Sequence, residues 1–383
     1  MSTTLSHLPR WGRFATGACL LALALGLSAC GSSPSRPKPA ELPPVVPLLA
    51  TEQAWTLQLG EAAALLQPQV AGDRLVLANR AGQVSVVDAA SGRAIWQAAA
   101  GSPLATGAGS DGRTVAVITR SNELVALRDG QTVWRVRLPA SSFTPPLVAG
   151  ERVFVLKGDR SVSAFDAGNG GRLWTQRARA EALVLGQAGV LLPQGNTLVV
   201  GLSGRMAGLD PLTGALRWEV PVAIARGANE VERLVDLVAP VSRVAETLCA
   251  RAYSAAVGCV NAAQGRVVWT RPAQGVTGLA GDEQRLFGTE TNGRVLAWDR
   301  ASGEPLWQSE RLLHRRLSAP LAVGRVVVVG DESGLVHVLS REDGSEMTRL
   351  NTDGSAVIGA PVLAGELLVV QTLRGGVYAW RPR

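Results

Sequence analysis

A short motif, Gly-x-x-x-Trp four residues after an Asp or Asn, returns along this chain at nearly constant spacing, and that period limits the possible fold more than any other feature. It reads Asp88-Ala-Ala-Ser-Gly92-Arg-Ala-Ile-Trp96, then Asp166…Trp174, Asp210…Gly214…Trp218, Asn261…Gly265…Trp269 and Asp299…Gly303…Trp307. A shortened copy ends at Gly130…Trp134, and a degenerate one runs Ser340…Gly344…Thr348. With the isolated Trp55, the anchor positions fall at 55, 96, 134, 174, 218, 269, 307 and 348, separated by 41, 38, 40, 44, 51, 38 and 41 residues. A period of this size, carried by strands and turns, predicts a β-propeller.

The stretch between two anchors is itself regular. From Pro320 to Leu350 a short apolar strand, a Gly324 turn, a β-branched run, the turn Asp331-Glu-Ser-Gly334, an alternating strand around His337 and the turn Arg341-Glu-Asp-Gly344 follow one another. That order gives four short antiparallel strands per repeat. The Gly four residues after Asp stands where a tight turn needs a positive φ, and the Asp side chain can accept from the turn's amides. The Trp is large and flat, which suits the widening space between neighbouring blades.

The chain ends set the count. After Thr348 only three strands remain, whereas Ala54-Trp55-Thr-Leu-Gln-Leu-Gly60 is an anchor strand with no blade before it. Pairing the first with the last completes an eighth blade, so the expectation is an all-β, eight-bladed propeller of four-stranded antiparallel blades over residues 54–383, with closure removing exposed sheet edges.

Residues 1–29 read as a signal peptide: Arg10 and Arg13 form a basic start, residues 16–27 an apolar stretch too short to span a membrane, and Leu27-Ser-Ala-Cys30 follows. Residues 30–53, rich in Pro, Ser and Ala, read as a flexible linker. The net charge of +7 falls by two when Arg10 and Arg13 leave with the signal. No block of like charge or basic-aromatic patch argues for nucleic acid, and the basicity fits an encounter with an acidic surface. Cys249 and Cys259 lie at equal distances from Ser254, the expected turn of a hairpin, so they can face each other as a disulfide or simply as two small buried residues.

Catalytic constellations are sparse. His314 and His337 lack a metal-ligand spacing, so no metal is expected, and there is no G-x-S-x-G, Walker loop or H-E-x-x-H. Gly107-Ala-Gly109-Ser-Asp-Gly112 matches G-x-G-x-x-G but is followed by a strand, against a dinucleotide site. The Asp residues at 88, 166, 210 and 299 hold a fixed place in the repeat, which makes them turn residues rather than a carboxylate set.

The repeat resembles the tryptophan-docking motif of quinoprotein-like eight-bladed propellers, a group that holds both pyrroloquinoline-quinone dehydrogenases and the non-enzymatic BamB-type lipoproteins of the outer-membrane β-barrel assembly machine. The short mature chain, Glu230-Val-Glu-Arg-Leu-Val-Asp236 in the longest interval and Leu312-Leu-His-Arg-Arg-Leu-Ser-Ala-Pro320 resemble the second group. Leu-Ser-Ala-Cys30 resembles the bacterial lipobox, which implies acylation of Cys30, and the Gly31-Ser32 that follows implies an outer-membrane, periplasmic-face location. The resemblance further implies a scaffold without cofactor or catalysis that binds the POTRA domains of BamA and other subunits, with unfolded outer-membrane proteins as a further partner. It assigns partner contact to Leu183 and Leu185, and to Glu232, Arg233 and Asp236 in an exposed acidic loop. Two positions depart from the family pattern: Gly186 stands where a basic residue often follows the second Leu, and Val238 where a second acid is usual. The competing readings are a periplasmic quinoprotein dehydrogenase, which would need a ligand cluster, and a propeller lipoprotein binding glycan or peptide, which would need clustered aromatics.

Overall fold

The computed structural model describes residues 37–177, 183–225, 229 and 234–382. Among the described residues thirty-two strands form eight four-stranded antiparallel sheets, each built from strands consecutive in sequence except the last. We number the blades from 1 (residues 69–99) through 2 (109–137), 3 (147–176), 4 (191–221), 5 (237–272), 6 (279–309) and 7 (321–351) to 8 (357–382 with 51–58). In blade 8 the strand Thr51–Gln58 pairs with Gly376–Pro382, in a register that runs from Thr51 opposite Pro382 to Gln58 opposite Gly376. The two ends of the chain therefore close the ring, as the anchor count requires.

The core consists of the layers between blades. One cluster joins Val84 and Val86 of blade 1 to Val117 and Val125 of blade 2; the equivalent layer at the seam joins Leu75 and Val87 of blade 1 to Val369 and Val377 of blade 8. The middle two strands of each blade are apolar on both faces because both faces meet a neighbour, which is why they read as β-branched runs and not as alternating ones.

Five of the anchor tryptophans fasten their blade to the next by a hydrogen bond. Trp55 of blade 8 donates from Nε1 to the carbonyl of Ala89 in blade 1 at 3.0 Å. Trp134 reaches Ala167 at 3.0 Å, Trp174 reaches Pro211 at 3.1 Å, Trp269 reaches Arg300 at 2.8 Å and Trp307 reaches Arg341 at 3.0 Å. The indole lies on the turn glycine of the following blade: a Cβ on Gly303 would stand 2.6 Å from the Trp269 ring, and Gly303 has φ +74°. The repeat needs glycine there on both counts. The repeat carboxylates cap these turns, Asp88 accepting from Ser91 N–H at 2.8 Å, Asp210 from Leu212 N–H at 2.8 Å and Asp299 from Ser302 N–H at 2.8 Å.

Residues 39–50, in the stretch read from sequence as linker, run along the blades. Ala40 N–H donates to Leu313 carbonyl at 2.9 Å and Leu48 N–H to Met347 carbonyl at 2.8 Å. Leu42 packs with Leu312 and Leu317, and Leu49 with Val336 and Trp380. Arg315 Nη1 donates to Ala40 carbonyl at 2.8 Å and Arg349 Nη2 to Pro43 carbonyl at 3.4 Å. These two arginines end a buried chain of charge. Arg315 Nε meets Asp331 at 2.8 Å, His337 Nε2 meets Asp331 at 3.1 Å, His337 Nδ1 meets Glu346 at 2.9 Å, and Arg349 Nη2 meets Glu346 at 2.7 Å. His337, isolated in the sequence, is fully buried here and tied on both sides.

Cys249 and Cys259 stand opposite each other in the second and third strands of blade 5, sulfurs 1.93 Å apart, in a disulfide. It closes a loop with a sequence separation of 10. By the loop-entropy relation, reduction is expected to cost ~2.5 kcal/mol. Urea melts with and without a thiol reductant measure this; superimposable curves would remove the disulfide from the stability of blade 5.

Candidate functional site

The connections from blade 3 to blade 4 and from blade 4 to blade 5 hold the residues that the sequence singled out. Glu232 and Arg233 lie outside the described residues, as does Cys30. Leu183, Leu185 and Asp236 are described, and the structure brings all three together around a residue the sequence reading missed, Arg160.

Arg160 sits in the turn between the strands Arg152–Leu156 and Val162–Asp166 of blade 3, at φ +59°. Its guanidinium donates to Asp236 Oδ1 at 2.5 Å and to the Leu183 carbonyl at 2.5 Å. The second carboxylate oxygen, Asp236 Oδ2, accepts from Leu185 N–H at 2.9 Å. One arginine and one aspartate thus hold the backbone of residues 183–185 from behind, by charge-assisted bonds that are shorter and stronger than neutral ones. Both side chains are nearly buried, at 7% and 14% exposure. The expectation that Asp236 belongs to an exposed acidic loop is therefore corrected. Its charge is spent inside the fold, because a buried arginine needs a carboxylate partner.

Leu183 is 40% exposed and is not part of a strand, nor is Leu185, which is half-buried. Held at its own carbonyl, Leu183 presents an apolar side chain to solvent from a fixed backbone. At the clamp, Phe143, Leu156, Lys157 and Leu185 line a half-open cavity of ≈ 40 Å³ together with Arg160 and Asp236. Beside it an open groove of ≈ 860 Å³ runs between blades 4 and 5, past Val222, Ile224, Val235 and Tyr253. Ile224 is 69% exposed, so Leu183, Ile224 and the groove supply apolar surface around the clamp. Among the described residues no group of three or more His, Cys, Asp or Glu is placed to hold a metal ion.

A signal for Arg160 did exist in the repeat. The equivalent turn position carries Gly82 in blade 1, Asn122 in blade 2, Gly293 in blade 6, Gly334 in blade 7 and Gly375 in blade 8, all at positive φ. Blade 3 alone among these six places a large residue there, and a left-handed backbone costs a non-glycine residue about 1–2 kcal/mol. The ion pair with Asp236 is what offsets that cost.

The comparisons with known proteins agree with this architecture. A family model described as "Outer membrane protein assembly factor BamB" matches residues 80–309 and 301–381. The outer membrane protein assembly factor BamB of Burkholderia pseudomallei (strain K96243) is 36% identical over 376 residues, covering 97% of this chain and 99% of the relative. Among solved structures, BamB from Moraxella catarrhalis superposes with a TM-score of 0.78 at 28% identity, covering 87% of this chain and 100% of that one. A quinohemoprotein alcohol dehydrogenase from Comamonas testosteroni reaches a TM-score of 0.67 at 13% identity, covering 86% of this chain and 76% of that one; this shows a shared fold and nothing further. The chain belongs to the family of the outer membrane protein assembly factor BamB.

Proposed function

We propose that this chain is a lipid-anchored, non-enzymatic scaffold of the outer-membrane β-barrel assembly machinery. It binds the POTRA domains of BamA through the 183–185 segment together with the connection around residues 230–236, and it works beside other subunits on unfolded outer-membrane proteins. The observation that carries the contact is the Arg160–Asp236 clamp, which ties down the backbone of residues 183–185 while leaving Leu183 in solvent. A segment ordered before it meets its partner loses little conformational entropy on binding, so an apolar side chain held this way can act as a hot spot. Acylation at Cys30, outside the described residues, supplies the membrane attachment in this reading, and the quinoprotein alternative is left with fold likeness alone.

The test is capture of the BamA POTRA domains by the full-length chain and by Leu183→Glu. Loss of a hot-spot residue costs at least about 2 kcal/mol, or roughly 30-fold in affinity. An exposed substitution should leave the unfolding free energy within about 0.5 kcal/mol. Undiminished capture by Leu183→Glu combined with Leu185→Glu would move the interface elsewhere.

A further inference from the structure

Blade 3 departs from the repeat at a second position of the same turn. In four blades the residue that ends the second strand or directly follows it caps the turn, its side chain accepting from the backbone N–H four residues on. Asn79 accepts from Gln83 at 3.0 Å, Thr119 from Glu123 at 3.1 Å, Asp331 from Leu335 at 2.9 Å and Thr372 from Gly376 at 3.1 Å. In blade 6 Asn292 takes over the capping, and the residue so freed, Glu290, neutralises the buried Arg251 at 2.9 Å. In blade 3 Asp159 takes over, accepting from Ser161 N–H at 3.0 Å, and the freed residue is Lys157.

Lys157 has no such use inside the fold. It is 5% exposed, and among the described residues its side chain has neither a hydrogen bond nor an ion pair. Its stem is buried while its ammonium keeps access to solvent, so the charge is available to a partner from outside the fold. Burial draws its pKa below the ordinary lysine value; Asp159 opposes this, and Arg172 and Arg177 add to it. It opens into a groove of ≈ 1040 Å³ between blades 2 and 3, which Arg137, Arg172 and Arg177 also line. These three arginines are exposed and, among the described residues, unpaired. Among the described residues the one carboxylate on the groove, Asp159, is already engaged by the amide and hydroxyl of Ser161.

The shape of the groove indicates what could neutralise four cations. Six consecutive residues, 172–177, line it. Successive side chains of a strand point to opposite faces, so a groove touching only one face would meet every second residue. Contact with all six means that the groove reaches the outer edge of the strand Arg172–Gln176, which among the described residues is paired only with Val162–Asp166 and leaves its other backbone edge open. At about 3.3 Å per residue, that edge runs for roughly 20 Å. We propose that the groove between blades 2 and 3 binds an acidic polypeptide segment in extended conformation, its carboxylates meeting Lys157, Arg137, Arg172 and Arg177 and its backbone pairing with the open edge of blade 3. A peptide is favoured over an anionic lipid because only a peptide offers amides and carbonyls in register with a strand edge. This inference does not rest on the BamA reading: the two sites share the turn that holds Lys157 and Arg160, whereas Arg172 and Arg177 line the groove and not the cavity at the clamp.

The experiment measures fluorescence anisotropy of a labelled (Glu-Ser)5 peptide with the full-length chain, against a (Lys-Ser)5 control and against vesicles containing phosphatidylglycerol. Expected is binding of the acidic peptide that weakens as salt is raised, with about a tenfold loss in Arg172→Gln/Arg177→Gln and a similar loss in Lys157→Met. Lys157→Met should melt no lower than the parent, since it removes a partly desolvated charge; if it fails to fold, the exposed arginine pair still reads the site. The proposal is overturned if the acidic peptide binds no better than the basic one, if the arginine double variant keeps full affinity, or if the vesicles bind through these residues and the peptide does not.

Discussion

Replacing His337 by Leu is expected to lower stability by about 3 kcal/mol at pH 6, with the deficit shrinking as the pH rises. Both ring nitrogens of His337 face carboxylate oxygens, Asp331 at 3.1 Å and Glu346 at 2.9 Å, so both must carry protons for each contact to be a hydrogen bond. Burial would by itself favour the neutral ring, but the bonds to Asp331 and Glu346 and their charges outweigh it, and the pKa of His337 is raised. Glu346 is moved the other way: burial opposes ionisation, yet His337 and Arg349 bring its pKa to about 2. Leu would leave two buried carboxylates each one charged partner short, and removing a member of a buried ionic set costs about 3–5 kcal/mol.

The sign with pH follows from linkage. A histidine whose folded pKa is raised contributes its stability fully below the unfolded value near 6.5 and loses it as pH rises through the folded pKa. Glu346 contributes above its unfolded value near 4.5 and loses that contribution as pH falls toward about 2. The network is thus most stabilising at mildly acidic pH. Chemical unfolding of parent and His337→Leu between pH 6 and pH 9.5 tests this, and a constant gap across that range would show that His337 is not held as a cation. Because Arg315 and Arg349 extend the network to the carbonyls of Ala40 and Pro43, amide exchange at Ala40 should rise in the same variant.

Deleting residues 51–58 should abolish cooperative unfolding and produce aggregates. That strand supplies the outer member of blade 8, and with it goes the bond from Trp55 to Ala89 at 3.0 Å that fastens blade 8 to blade 1. The strand Gly376–Pro382 would be left with an open edge, able to pair with another chain. The ring would also lose Trp55 and Leu57 from the core layer shared with Leu75 and Val87. Size-exclusion chromatography and thermal melting read the outcome together. A monomer with the parent's melting curve would mean that the ring does not depend on this closure.

How much of this was legible in the sequence depends on the range over which each feature is decided. The Asp-to-Gly-to-Trp spacing is local: a turn that needs positive φ at Gly92 or Gly303, and a flat ring four residues later, leave the same trace in five repeats and a recognisable remnant in the others, so architecture, blade count and closure could be read from periodicity and from the two incomplete ends. Leu183, Leu185 and Asp236 were picked out by family likeness, but their relation to one another was not readable. Arg160 and Asp236 are 76 residues apart, and their pairing depends on how two blades present their loops. The same holds for His337, which finds Asp331 within its own hairpin but needs Arg315 and Arg349 from other segments to balance the charge. Lys157 was invisible for the opposite reason, since its meaning lies in the absence of a partner that only burial reveals. Repetition in the sequence determined the ring, because each blade obeys the same steric rules; tertiary packing alone decided which charges are spent inside it and which remain for a partner, because that choice follows from desolvation and from contacts between residues with no fixed separation in the chain.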